Sequence, residues 1–235
     1  MGKDINNQKY ERPNMKKLSN DFYESSMLLS HSYFAISYLS NNIIQATNGH
    51  NQNAVYILFI YFKSLFDYYY TFSGWRLIMD YSTLELASHL LTENDESLSI
   101  PRLFWFYYCC GHMCLSGNLK WFIINIINKK FDKFAYHWSF TVRQVFFKLV
   151  LFIINDRLKR EEGRFFRDVK LNPYLNRNLN ISNMNMNDPY VRESYKDFDV
   201  IKKEYDEWNK RNSVNSNNKQ YPVFYLPAIN SGGID

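Results

Sequence analysis

Charged and apolar positions fall in blocks along this chain. Residues 25–155 hold nearly all the long apolar runs, whereas residues 1–24 and 156–235 are polar and rich in charge and Asn. From Ser25 to Phe62 there are 38 residues without a charged side chain, and between Leu103 and Asn128 the one charge is Lys120. Uncharged runs of this length carry the signal of a membrane span. The negative mean hydropathy of the whole chain averages over two unlike regions and hides it.

The pattern predicts four helices in the apolar region. Segment 25–47 is diluted by Ser, Asn and His31 but has no Pro or Gly to interrupt it, so it reads as a buried, interfacial or marginally spanning helix. Asn48–Asn53 reads as a turn. Segment 54–79 opens Val-Tyr-Ile-Leu-Phe-Ile-Tyr-Phe and carries Lys63 and Asp67 on one helix face. An acidic connection follows, with Asp80, Glu85, Glu93, Asp95 and Glu96. Segment 101–128 begins with Pro101, which suits a first helical turn, and is long enough to cross a hydrocarbon core of ~30 Å. Segment 136–158 is striped: His137, Thr141, Gln144, Lys148 and Asn155 share a face, and Phe146, Phe147, Leu149, Val150, Phe152, Ile153 and Ile154 cover the rest.

Loop charges favour 54–79 and 101–128 as a spanning hairpin. Lys129, Lys130 and Lys133 then lie on the side of Lys16 and Lys17, with the acidic connection on the opposite side. The expected fold class is all-α: an integral membrane helical protein with two spans and two partly embedded companions, 25–47 and 136–158. The expected organisation is a polar N-terminal segment (1–24), a membrane-associated region (25–158) and a polar tail (159–235).

The tail carries one further helix, expected over 189–211, with Asp188-Pro189 as N-cap and first helical residue. Val191, Tyr195, Phe198, Ile201, Tyr205 and Trp208 step along one face, and Asp199/Lys203, Asp206/Lys210 and Glu207/Arg211 are spaced as supporting pairs. A polar linker, Asn212–Asn218, leads to Tyr221-Pro-Val-Phe-Tyr-Leu-Pro227, an extended strap between two prolines. Asn172–Asn187 separates the stripe from the apolar region, so Tyr195, Phe198, Ile201, Tyr205 and Trp208 are expected to dock on a partner. The alternative is that this helix folds back on the chain's own helices.

Composition narrows the function classes. Only 8 Gly and 6 Pro stand beside 19 Tyr, 19 Phe and 5 Trp, which argues against a glycine-turned nucleotide-binding domain and against an all-β fold. The abundance of Asn, Lys, Ile, Tyr and Phe follows AT-rich codons. Net charge is +5 with acids interleaved among the bases, so no nucleic-acid partner is expected. Cys109, Cys110 and Cys114 lie in one apolar segment, unlike a secreted disulfide framework. Residues 1–24 lack the apolar core of a signal peptide and are too acidic for a mitochondrial presequence, and Asn6 stands where myristoylation wants Ser or Thr.

Candidate chemistry is thin. Cys110 and Cys114 share a helix face, but His112 points away from them and Asn118 stands where a dinuclear copper loop would want a histidine, so the cysteines read as core. His31, His50, His112 and His137 lie in separate segments and form no haem pair. Lys63/Asp67 reads either as part of an ion path or as a pair where its helix leaves the bilayer. Glu85/His89 lacks a third metal ligand. Asn180-Ile-Ser182 is a formal glycosylation acceptor. No phosphate loop, nucleophile elbow or zinc-protease motif occurs, so neither catalysis nor a cofactor is expected. Arg102, Lys129, Lys130 and Lys133, at the ends of 101–128, are expected to meet anionic phospholipid, cardiolipin in a mitochondrial membrane. The expected function is a non-catalytic, membrane-embedded accessory subunit of a large complex, set in the mitochondrial inner membrane (respiratory chain or ATP synthase). A regulatory partner of an ion pump or channel, or a soluble helical interaction protein, is the alternative.

Overall fold

The computed structural model describes residues 20–29, 31–73, 77–114, 116–155, 187–212, 221–224 and 226. The N-terminal segment up to residue 19, most of the Asn-rich stretch with Asn180-Ile-Ser182, the end of 136–158, the linker at 213–218, Tyr225 and Pro227 lie outside the described residues. Helix makes up 78% of those described and none of them is in a strand, so the all-α expectation holds.

Short caps divide the predicted segments. Segment 25–47 is two helices, α1 (Asn20–Leu29) and α2 (Tyr33–Ala46). Between them Ser32 adopts extended backbone and its hydroxyl accepts from Ala35 N–H, the N-cap chemistry that starts a new helix. The expected turn follows, and Asn51 Oδ1 accepts from the amides of Asn53 and Ala54 to start α3 (Gln52–Ser73). This helix buries one face, Val55, Leu58, Phe59, Phe62, Leu65 and Phe66, and carries Lys63 and Asp67 half-exposed and hydrogen-bonded to each other. It is an amphipathic core helix.

Segment 101–128 breaks in the middle. Helix α5 (Ile100–Cys110) stops at a turn over Gly111–Cys114, where Met113 N–H and Cys114 N–H both bond back to Cys110 O. The chain restarts as α6 (Ser116–Phe122), which widens into a π-helical stretch, π1 (Ile123–Asn128). Eleven residues of α5 rise only ~16 Å, about half of a hydrocarbon core. Before it comes α4 (Ser82–Glu93); after it come α7 (Phe131–Ala135), α8 (Phe140–Lys148) with its π-helical continuation π2 (Leu149–Asn155), and α9 (Pro189–Asn212).

No helix among the described residues is long and apolar enough to cross a membrane. The integral membrane fold class, its two spans and the integral membrane localisation are therefore corrected, and the mitochondrial inner-membrane setting has nothing to support it. The reason lies in where the apolar runs go. Helix α5 is packed against α3, α4, α8 and π2, so nearly its whole circumference is core. Leu103, Phe104, Phe106, Tyr107 and Cys110 are fully buried there. A central core helix and a span share one pattern, apolar all round, and differ only in what surrounds them.

Aromatic rings fill this core. Phe106 touches Phe59, Phe62 and Phe66 of α3 at centroid distances of 5.3, 6.3 and 5.8 Å. Phe104 meets Phe134 at 4.9 Å, and Tyr107 stacks on Phe122 at 3.7 Å. Such pairs add ~0.5–1.5 kcal/mol each beyond burial.

The charge argument for a hairpin fails on one contact. Lys130 Nζ lies 2.8 Å from Glu93 Oε1, so the lysine cluster and the acidic connection meet in space instead of lying across a bilayer. Lys133 donates to the carbonyls of Thr92, Glu93 and Asn94 at 3.0, 2.9 and 3.3 Å. It satisfies the unpaired carbonyls that end α4 and sits at the negative end of its dipole.

Candidate interaction surface

Two surfaces bear on function: the tail packed on the core, and the apolar side chains that the packing leaves outside. The tail begins as expected. Asp188 Oδ1 accepts from Tyr190 N–H at 2.8 Å, and Pro189 opens α9. Of the spaced ion pairs, Lys203–Asp199 forms at 2.7 Å and Arg211 reaches Glu207 at 3.9 Å, while Asp206 takes Lys202 at 2.7 Å.

The stripe of α9 faces the chain's own helices, the second of the two arrangements open to it. Ile201, Tyr205 and Trp208 are buried, and Phe198 meets Phe147 edge-on at 5.3 Å. Tyr205 and Trp208 both contact Phe152 of π2, each at 5.4 Å. Tyr195 and Val191 line a cavity of about 10 Å³ with Phe131 and Phe147, the space of about one water.

Polar locks flank the stripe. Arg143 Nε donates to Asp197 Oδ2 at 2.6 Å, and its Nη1 donates to the carbonyls of His137 and Trp138 at 2.6 and 3.1 Å. Ser194 Oγ donates to Ala135 O, and Asn155 Nδ2 to Tyr205 Oη at 3.2 Å. His137 Nδ1 accepts from Ser139 N–H at 3.0 Å, which leaves the proton on Nε2 to meet Asp95 Oδ1 at 3.1 Å. Burial lowers the His137 pKa, and Asp95 offsets part of that. Nothing in the sequence pointed to Arg143 or Asp197, because their pairing spans 54 residues and no local spacing signals it.

The strap packs over this assembly. Tyr221 stacks on Trp208 at 5.5 Å, and Phe224 meets Tyr108 edge-on at 4.7 Å. Tyr108 Oη donates to Pro222 O at 2.7 Å, and Trp105 Nε1 to Phe224 O at 3.3 Å.

The four basic residues expected at head groups are held by protein. Arg102 is buried, donates Nη1 to Leu98 O and lies over the Tyr56 ring at 5.3 Å. Lys129 donates to Asn125 Oδ1 at 3.0 Å, and Lys130 and Lys133 hold the end of α4. The histidines serve separate contacts: His50 pairs with Glu96 at 3.0 Å, and His112 lies edge-on to Tyr70 at 5.7 Å. Glu85 accepts from Asn118 Nδ2 at 3.3 Å, and burial raises its pKa. The cysteines are free thiols; burial pushes Cys109 up to about 12 and Cys110 well above its ordinary value, so neither is poised as a thiolate. Among the described residues no group of three His, Cys, Asp or Glu could hold a metal. Lys63 is held above its ordinary pKa: burial works against its charge, and the Asp67 carboxylate more than offsets it.

Large apolar side chains remain outside on several elements, Leu86 and Leu90 of α4 among them, and one row of them lies on α1 and α2. Phe34 is 82% exposed, Leu28 76% and Tyr38 74%, and Tyr33 stacks edge-on against Phe34 at 5.4 Å. Phe34 and Tyr38 are one turn apart on α2. Ser37 Oγ accepts from Asp80 N–H at 2.8 Å, which ties Asp80 to the same helix, and Ile78, two residues before it, is exposed.

A family model described as "Protein of unknown function (DUF1765)" matches residues 36–154, just over half of the chain. The chain belongs to the DUF1765 family. No curated protein and no solved structure matches it. The DUF1765 stretch runs from within α2 through π2 and contains the central helix α5, while α9 and the strap pack on it from beyond its end. Tyr38 of the exposed row lies inside the DUF1765 stretch, and Leu28 and Phe34 precede it.

Proposed function

We propose that this DUF1765 chain is a non-catalytic helical interaction module, a component of a multi-protein assembly, and that its partner covers the exposed apolar row on α1 and α2. The observation that carries this reading is the exposure of Phe34 and Tyr38, one turn apart on α2, together with that of Leu28 on the preceding helix. Rings left in water on an ordered helix lose the burial free energy that the rest of this aromatic-rich chain secures, ~1.5–3 kcal/mol per side chain. Contiguous apolar patches on a folded surface mark interaction sites. An amphipathic helix of another protein, presenting apolar residues at three- and four-residue steps, complements such a row.

The test is quantitative mass spectrometry of chains that co-purify after cross-linking in cells of the source organism. The double substitution Phe34→Ser/Tyr38→Ser should lose at least ~10-fold of the partners that wild type holds, since anchor rings contribute ~1–4 kcal/mol each. Val200→Ser, at an exposed apolar position on α9, should retain them. Equal recovery by all three chains would sink the reading.

A further inference from the structure

The groove beneath the strap holds it by backbone and by rings. Two side-chain donors, Tyr108 Oη and Trp105 Nε1, reach the carbonyls of Pro222 and Phe224, two residues apart. The ring of Phe224 stands edge-on to Tyr108 with the Lys148 ammonium 5.3 Å from its centroid, and Tyr221 lies on the indole of Trp208. Val223, between the two bonded carbonyls, is 78% exposed. Aromatic walls with side-chain donors aimed at carbonyls of a proline-containing peptide are the means by which proline-rich ligands are recognised. None of Tyr221, Pro222, Phe224 and Leu226 is fully buried, whereas Ile201, Tyr205 and Trp208 of α9 are. The strap therefore has the footing of a ligand laid on a finished core.

We propose that this groove is an exchangeable recognition site for an extended Tyr-Pro-x-Phe segment of a partner protein, and that the chain's own strap is its resident occupant in cis. Eight residues of sequence join Asn212 to Tyr221, and a covalent connection that short puts the occupant at an effective concentration on the order of mM, so a partner's segment enters when it is presented at comparable local concentration or when the strap is weakened. The site uses none of the α2 row and stands or falls separately from it.

The experiment measures fluorescence anisotropy of a labelled peptide with the sequence of residues 218–227 on the full-length chain. Pro222→Ala/Phe224→Ala in the chain's own strap should bind the peptide at least ~10-fold more tightly than wild type does, because the competitor in cis is removed. Adding Tyr108→Phe to that receptor should weaken binding ~5-fold, the effect of one hydrogen bond with the ring retained. A peptide carrying Lys in place of Val223 should bind as well as the original, and one with both Pro222 and Phe224 replaced by Ala should bind at least ~10-fold more weakly. Phe34→Ser/Tyr38→Ser in the receptor should change nothing, which separates this test from that of the α2 row. Equal binding to the wild-type and strap-weakened chains, no binding to either, or equal binding of a scrambled peptide overturns the proposal.

Discussion

At the residue scale the sharpest constraints sit where backbone meets backbone. A Cβ on Gly111 would lie 2.5 Å from Tyr107 O and 2.7 Å from Ile153 Cγ2, so a methyl there must push apart the end of α5 and π2. On Gly117, in α6, a Cβ would meet nothing within 4 Å. Gly111→Ala should therefore destabilise by ~1–3 kcal/mol through overpacking, while Gly117→Ala should stabilise by ~0.5–1 kcal/mol through reduced freedom of the unfolded chain. Urea melts of the two variants beside wild type check the opposite signs. His137 sets a pH dependence. Its folded pKa lies below the ordinary value of 6.5, first through burial, then through Lys133 and Arg143, with Asp95 acting against them. The unfolded chain thus binds the proton more readily, and stability contributed by the neutral ring is lost as pH falls through about 6.5 toward the folded value. Protonation also removes the acceptor for Ser139 N–H. Denaturation midpoints should drop between pH ~7 and ~5, and the drop should be shallower in His137→Asn.

At the element scale α9 is fastened by one buried ion pair inside an apolar seam. The Arg143 and Asp197 side chains are 6% and 12% exposed. Arg143→Ala should cost ~3–5 kcal/mol, because it leaves the Asp197 carboxylate shielded from water without its partner. Lys202→Ala, which breaks a surface pair on the same helix, should hardly move the melting temperature. The existence of α9, its Asp188 cap and its buried stripe were legible because caps and three- and four-residue steps are local signals. Where the stripe docks was not legible, since Phe147 and Phe152 come into reach only through tertiary folding. For α5 the difficulty was different. Its uncharged run describes burial on all sides, and burial in protein and burial in lipid select the same side chains. The separating clue was short-range: Gly111 and the turn after it limit the helix to 11 residues. The lysines at 129–133 misled for the same reason, because partners on α4 and partners outside the chain leave one sequence signature.

At the scale of the whole molecule the arrangement is centred on α5, with α3, α4, α8 and π2 around it, α9 outside α8, and the strap across the top of α5, α8 and α9. Aromatic residues serve in every layer, which explains how so glycine-poor a chain closes its core: rings fill gaps that small residues would otherwise let helices approach to close. The candidate surface is only half legible in the sequence. A run containing Tyr33, Phe34 and Tyr38 is apolar wherever it ends up, and only the packing of Ile36, Ser40 and Ile44 inward determines which of its side chains face water.

The Trp105–Phe224 contact joins residues 119 apart. During synthesis the helices from α2 to π2 leave the ribosome before α9, and for that interval Phe147, Phe152 and Tyr108 have no covering layer. At elongation rates of ~5–20 residues per second, the roughly 60 residues that separate π2 from the end of α9 expose this apolar seam for seconds, far longer than helix formation takes. The order in which the chain's layers are made thus leaves the last helix to close an apolar surface that the earlier ones have already built.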